Sequence, residues 1–371
     1  MRIGIIGTRG IPNQYGGFEQ FAEFIAPKLV EKGHEVSVYN SSLHFFKEKS
    51  WKGVQIITKY DPENRIGTAG QFVYDLNYIL DARKRNFDII LQLGYTSSSV
   101  WTFLFPSKAV LITNMDGLEW KRSKYSLRVQ KFLKKAEKWA ALSSDYLIAD
   151  SRGIQEYLLN KYQKTSFFIP YGAELIEGVS EELLNTRQLK KYSYNLCIAR
   201  MEPENNIETI IKGHLLAGVS LPLIIIGGLD NNFGSYLKET YESKEIVFLG
   251  PVYNLPLLNS LRFYSNLYFH GHSVGGTNPS LLEAMASFAL IVANDNIFNR
   301  AILKDDGFYF STATDIEMIL SRNIVRNEYD YMLKNNARKI QNEYSWNHIL
   351  NLLENLLIHA MEESVSAERH I

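Results

Sequence analysis

The sequence predicts an α/β chain folded as two doubly wound, Rossmann-like domains that face each other across a deep cleft. Three observations predict it. Short apolar runs recur without polar alternation, the pattern of strands buried on both faces of a parallel sheet. Segments with helix-period apolar spacing separate them. The alternation pauses over residues 173–192 and then restarts, and 371 residues exceed the ~250–300 that one core organises. The expected division is a first domain over 1–172, a charged linker over 173–192, a second domain over 193–345, and a C-terminal helix over 346–371 packing back across the domains.

In the first half, the strand runs are Arg2–Gly7, Glu35–Tyr39, Val54–Thr58, Phe87–Leu91, Ala109–Thr113 and Tyr146–Ala149, and Ser166–Ile169 with Pro170–Gly172 closes the domain. Phe18–Lys32 and Gln71–Lys84 read as helices, the latter with Phe72, Leu76, Ile79 and Leu80 along one side. In the second half, Asn195–Ala199, Leu223–Ile226, Ile246–Leu249, Leu267–Phe269 and Leu290–Ala293 read as strands. Helices are expected near 207–217, 233–241, 255–263 and 279–287. The tail from Glu328 onward is helical, with a stripe of Trp346, Ile349, Leu350, Leu353 and Leu357.

Bulk composition excludes several classes. Forty basic and forty acidic residues cancel, so net charge gives no support for nucleic-acid binding. The single cysteine, Cys197, leaves no disulfide framework or thiolate metal cluster and reads as core. The chain enters a strand directly, and no apolar run approaches the ~18–20 residues of a membrane span, so a cytoplasmic protein is expected.

In open parallel sheets, ligands bind beyond the carboxyl ends of the strands. Glycine turns follow those ends in both halves: Gly16-Gly17, Gly227-Gly228 and Gly275-Gly276. The stretch His270–Met285 is the richest. An apolar strand end leads through Gly275-Gly276 and Thr277 to Asn278, a capping residue, with Pro279 at the first helical position and Glu283 a turn on. Such a helix start suits a phosphate, and the carboxylate suits sugar hydroxyls; an ordinary strand-to-helix connection reads the same way. His270 and His272 alternate with Gly271 and would point to one side. No third ligand accompanies them at metal spacing, and no Asp-x-Asp motif stands near a strand end, so neither a protein metal site nor a metal-held diphosphate is expected. Arg200 ends another strand, where a guanidinium reaches the cleft and can neutralise a diphosphate; Pro203-Glu204 opens the next helix, with Asn205 and Asn206 in its first turn.

The opening loop Gly7–Glu19 lacks G-x-G-x-x-G spacing, and the second strand ends Tyr39-Asn-Ser-Ser without the carboxylate a dinucleotide needs. Gly16 and Gly17 still let a ligand approach the backbone, and Glu19 serves either a hydroxyl-rich ligand or the helix dipole. Asn114-Met-Asp-Gly-Leu-Glu-Trp120 places Asp116, Glu119 and Trp120 at a strand end. That combination fits sugar binding or proton handling, and Asp before Gly is also a turn former. Residues 121–138 carry eight basic side chains against one acidic, interrupted by Leu127, Phe132 and Leu133; this is either a solvated helix or a surface that leans on an anionic membrane.

These residues together resemble glycosyltransferase family 4, retaining enzymes of the GT-B fold. Arg200-Met-Glu-Pro-Glu-Asn205 is similar to that family's Arg-x-x-Pro-Glu-Lys segment, with Asn205 at the lysine position. Asn278–Met285 resembles the second half of its Glu-x7-Glu signature. Glu283 is at the later glutamate and Gly275 at the earlier one, whose work on the sugar would pass to His272, Thr277 or backbone N–H groups. Tyr171-Gly-Ala-Glu174 is similar to the element that closes the first domain. The Gly7–Glu19, Met115–Trp120 and His272–Ser280 segments resemble a bacterial rhamnosyltransferase-like subgroup of surface polysaccharide assembly.

The resemblance implies transfer of a sugar, with dTDP-rhamnose the expected donor, to a lipid-linked or saccharide acceptor, with no cofactor and no metal. It assigns catalysis to Asp116, Arg200 and His272. Donor binding falls to Arg200, Asn205, Asn206, Gly228, Val252, Tyr253, His272, Gly275, Gly276, Thr277, Asn278 and Glu283. Acceptor binding falls to Gly16, Gly17, Glu19, Asp116, Glu119 and Trp120. A nucleotide-sugar epimerase on the same fold and a sugar-nucleotide-binding subunit without catalysis are the rival readings.

Overall fold

The structure is a computed structural model and describes residues 1–14, 16–115, 117–122, 125–322 and 324–368. It divides into two compact units. One comprises Met1–Trp120, Leu127–Tyr171 and Trp346–Ile371, and the other comprises Lys121–Ser126 and Gly172–Ser345.

The first unit is built on β1 (Arg2–Ile6), β2 (Glu35–Ser41), β3 (Ser50–Trp51), β4 (Val54–Lys59), β5 (Ile89–Leu93), β6 (Val110–Asn114), β7 (Tyr146–Ala149) and β8 (Phe167–Phe168). They lie in the order β3-β4-β2-β1-β5-β6-β7-β8, parallel except for β3 against β4. Every residue of β5 and β6 is buried, as their unbroken apolar runs require. The short edge strand β3 was not expected. It pairs with β4 through a two-residue turn, Lys52-Gly53, both at positive φ, which matches the twist of a tight hairpin.

The apolar stripe of the last helix, Trp346–Glu368, belongs to this first unit. Its Trp346 ring stacks on Phe24 at 4.3 Å, on the exposed side of the helix Gly17–Glu31, and Ile349, Leu353 and Leu357 are fully buried. The tail is not one helix. Asp330–Glu343 ends at Tyr344, and the chain restarts at Trp346.

The second unit is built on β9 (Asn195–Ile198), β10 (Leu223–Ile226), β11 (Ile246–Gly250), β12 (Tyr268–His270), β13 (Ile291–Asn294) and β14 (Phe308–Phe310), all parallel, in the order β11-β10-β9-β12-β13-β14. Cys197 is buried in its core, its thiol pushed up to about 12 by desolvation. Backbone from the 173–192 stretch binds this same unit: Ile176 N–H donates to Ala286 O and Tyr192 N–H to Tyr264 O.

Candidate functional site

Strand order marks a candidate site in the second unit. The chain builds outward from β9 to β11, then returns to the other side of β9 with β12. Where the order reverses, the connections after two neighbouring strands leave in opposite directions and open a crevice at their carboxyl ends. The loops bounding it are 199–206 after β9 and 271–278 after β12, the two segments that sequence reasoning singled out.

These loops are bound tightly to each other. Asn206 Nδ2 donates to Gly271 O at 2.8 Å, and Ser273 donates to Glu204 O from both its N–H (3.1 Å) and its Oγ (2.8 Å). A Cβ on Gly271 would stand 2.0 Å from Asn205 O, so the approach needs glycine. On the other side, Asn296 and Asn299 donate to His272 O at 3.0 and 3.1 Å. The backbone of 271–273 is therefore fixed from two directions.

The expected geometry of Asn205 and Asn206 needs correction. Pro203–Asn205 form a separate 3-10 turn, and Asn206 sits at φ 51, left-handed, before the helix Ile207–Ala217 begins. Asparagine tolerates that conformation because its short amide bonds locally. Asn205 is buried, its amide donating to Arg200 O at 2.8 Å, so its side chain braces the loop from within.

Arg200 projects from this loop and is 45% exposed. It lies 3.8 Å from Glu202, and Arg122 lies 3.7 Å from the same carboxylate. His270, the last residue of β12, and His272, in the loop beyond it, stack at 4.5 Å and 15°. His270 Nε2 and His272 Nδ1 are buried without a hydrogen-bond partner. Desolvation lowers both imidazoles. His270 falls well below its ordinary value, and His272 falls to about 3, with Arg200 and Arg122 adding to the effect and Glu202 opposing it. Both rings are neutral at physiological pH.

Gly275 stands at φ 121 with open space around a Cβ, so backbone conformation alone selects glycine there. Asn278 caps the helix Pro279–Ala286, its Oδ1 accepting from Ser280 N at 2.9 Å. Thr277 is buried beside the cap, and Gly276 is half-buried. Glu283 is one turn on. Sequence reasoning missed its partner: Arg262, 3% exposed on the helix Leu255–Phe263, donates to Glu283 Oε2 at 2.5 Å. A buried arginine on a different helix leaves no spacing signal.

After β10, Gly227 packs where a Cβ would meet Ala199 O at 2.1 Å, while Gly228 faces open space with Asp230 3.8 Å away. After β11, Val252 is half-buried and Tyr253 is 84% exposed, a flat ring offered to solvent.

The first unit reverses between β1 and β5 in the same way. Its loop after β1 ends at Gly16 (φ 127) and Gly17. Glu19 is buried and accepts Arg9 N–H at 2.7 Å; burial raises its pKa while that N–H opposes the rise. A Cβ on Gly16 would stand 2.1 Å from Glu19 Oε2. The carboxylate thus anchors the loop from beneath. Glu119 opens a 3-10 turn, Glu119–Lys121. Trp120 Nε1 donates to the buried Glu137 at 2.9 Å, and Tyr157 and Tyr162 hydroxyls donate to the other oxygen at 2.6 Å each. Asp116 lies outside the described residues, as do Ser123 and Lys124 of the basic run. Among the described residues no group of three or more His, Cys, Asp or Glu is placed to hold a metal ion, and no helix is long and apolar enough to cross a membrane.

Residues 1–174 match a family model described as a domain of unknown function, DUF1972. No curated protein matches significantly. Solved structures match along nearly the whole chain. Sucrose-phosphate synthase from Thermosynechococcus elongatus is 15% identical over 98% of this chain and 99% of its own, with a TM-score of 0.79. HepE from Anabaena, in complex with UDP, is 15% identical over 96% of this chain and 99% of its own, with a TM-score of 0.72. A glycosyltransferase from Rickettsia africae is 14% identical over 98% of both chains, with a TM-score of 0.70. The fold is that of the GT-B glycosyltransferases.

Proposed function

We propose that the chain is a retaining, metal-independent glycosyltransferase that moves a sugar from a nucleotide-diphospho-sugar to a lipid-linked or saccharide acceptor in surface polysaccharide synthesis. The observation that carries the reading is the convergence of Arg200, the His270–His272 pair and the capped helix start at Asn278 on one strand-order reversal. It is supported by fold neighbours solved with UDP and UDP-glucose. Rhamnose carried on dTDP is the proposed donor, resting on the subgroup resemblance.

In this reading the diphosphate lies across Arg200 and the helix N-terminus, which stabilise the charge that develops as the glycosidic bond breaks. Glu283 meets the ribose, and Gly228, Val252 and Tyr253 line the base. His272, neutral beside the transferred sugar, hydrogen-bonds hydroxyls without adding charge. The acceptor hydroxyl attacks on the face from which the diphosphate departs, and its proton passes to the leaving phosphate oxygen. Gly16, Gly17, Glu119 and Trp120 border the acceptor, and Asp116 orients it. The basic helix Leu127–Ser143 presents Leu127, Trp139 and Leu142 to solvent among its lysines, which supports contact with an anionic membrane that holds the lipid-linked acceptor.

A thermal-shift panel of dTDP-, UDP- and GDP-sugars tests the donor, because a ligand of the native state raises the melting point. Arg200→Ala is expected to abolish the shift given by the best donor. A wild-type protein that responds to no nucleotide sugar would sink the proposal.

A further inference from the structure

A diphosphate brings two negative phosphates to the crevice, and Arg200 by itself answers one. Asn205 is turned into the loop, where it holds Arg200 O, and carries no charge in any case. A second cation comes from elsewhere in the chain. Arg122 belongs to the short segment Lys121–Ser126 that joins the second unit, and its side chain is 18% exposed. Its guanidinium lies 3.7 Å from Glu202, and Arg200 lies 3.8 Å from the same carboxylate. One carboxylate thus gathers two guanidinium groups beside the loop that leads from β9 to the helix Ile207–Ala217.

Both contacts are longer than a good hydrogen bond. A phosphate that offers its oxygens at hydrogen-bond distance therefore competes with Glu202 for the two guanidinium groups. Desolvation is what chiefly keeps the His272 imidazole neutral, and Arg200 and Arg122 both add to it.

Resting on the donor site proposed above, we propose that Arg122 is a second diphosphate-binding residue, held in reserve by Glu202 and moved onto the phosphates when the donor enters. Glu202 is then a positioning residue that competes with the ligand. Arginine suits the task because its planar fork binds two phosphate oxygens at once.

Isothermal titration of the full chain with UDP, dTDP and GDP, and with the matching nucleosides, tests this. Arg122→Ala is expected to weaken the preferred diphosphate about tenfold and to leave the nucleoside unchanged. Arg122→Lys should recover part of the loss. Glu202→Gln should tighten the diphosphate severalfold, and Arg122→Ala in that background should erase the gain. Wild-type affinity for the diphosphate in Arg122→Ala overturns the assignment while leaving the donor site standing. Equal loss of nucleoside and diphosphate overturns it too, by showing a purely structural role. A wild-type chain that binds none of the three diphosphates overturns both the assignment and the donor site beneath it.

Discussion

Replacing Glu283 by alanine, the obvious test of ribose binding, is expected to damage the second unit before it says anything about ribose. Arg262 is 3% exposed and Glu283 33% exposed, and they meet at 2.5 Å. The asymmetry decides the cost. Removing the glutamate strands a guanidinium that water cannot reach, and breaking such a pair from one side costs about 3–5 kcal/mol. Removing the arginine leaves a carboxylate that is already partly solvated, so Arg262→Met is expected to cost less, about 1–2 kcal/mol. For a unit of this size each kcal/mol lowers the melting point by about 2–4 °C, so Glu283→Ala should melt on the order of 10 °C lower. The double variant Arg262→Met, Glu283→Ala should recover most of that loss, because neither charge is left buried. Differential scanning calorimetry of the four proteins measures the cycle. An unchanged melting point in Glu283→Ala, or additive losses in the double variant, would refute the reasoning. The double variant is also the proper background for measuring ribose affinity.

Three other outcomes follow from the geometry. Asn206→Gly keeps the left-handed backbone and loses the amide's bonds to Gly271 and Glu204, whereas Asn206→Val loses these and strains the backbone as well; urea denaturation should show about 1 kcal/mol for the first and at least twice that for the second. His214 is buried and lowered by desolvation to about 4, while the unfolded imidazole titrates near its ordinary 6.5. The unfolded chain therefore binds the extra proton between these values, and stability should fall as pH drops from 6.5 to 4. The share from His214 is about 3 kcal/mol, and melting curves of His214→Gln should show a shallower acid slope. Glu137→Leu leaves the indole N–H of Trp120 and two tyrosine hydroxyls without their acceptor, and tryptophan fluorescence should shift red with a loss of about 2–4 kcal/mol.

Features that a short window of sequence determines were legible. Buried parallel strands announce themselves by unbroken apolar runs, and Asn278 before Pro279 announces a capped helix start. Features that depend on distant chain segments were not. Arg262 reads as an ordinary helix-face arginine until the helix carrying Glu283 packs beside it. Arg122 reads as one of eight charges in a basic run until that segment joins the second unit. Asn205 and Asn206 were placed in a first helical turn because Pro203 favours one. The left-handed step at Asn206 goes with a bond to Gly271, sixty-five residues away. Local signals also failed where they were atypical: Lys52-Gly53 is a poor hairpin signature, and β14 is only three residues long.

The place of Trp346 has a consequence for the order in which the protein can be made. The second unit is inserted between two pieces of the first, and the piece that arrives last covers Phe24 and the outer side of the helix Gly17–Glu31. On the ribosome, the first sheet is complete by residue 168 but has no cover for that side until the end of the chain emerges, while the inserted unit can close first. A fragment cut at residue 174, where the recognisable family segment stops, therefore omits part of its own core and is expected to stick to itself through that uncovered face.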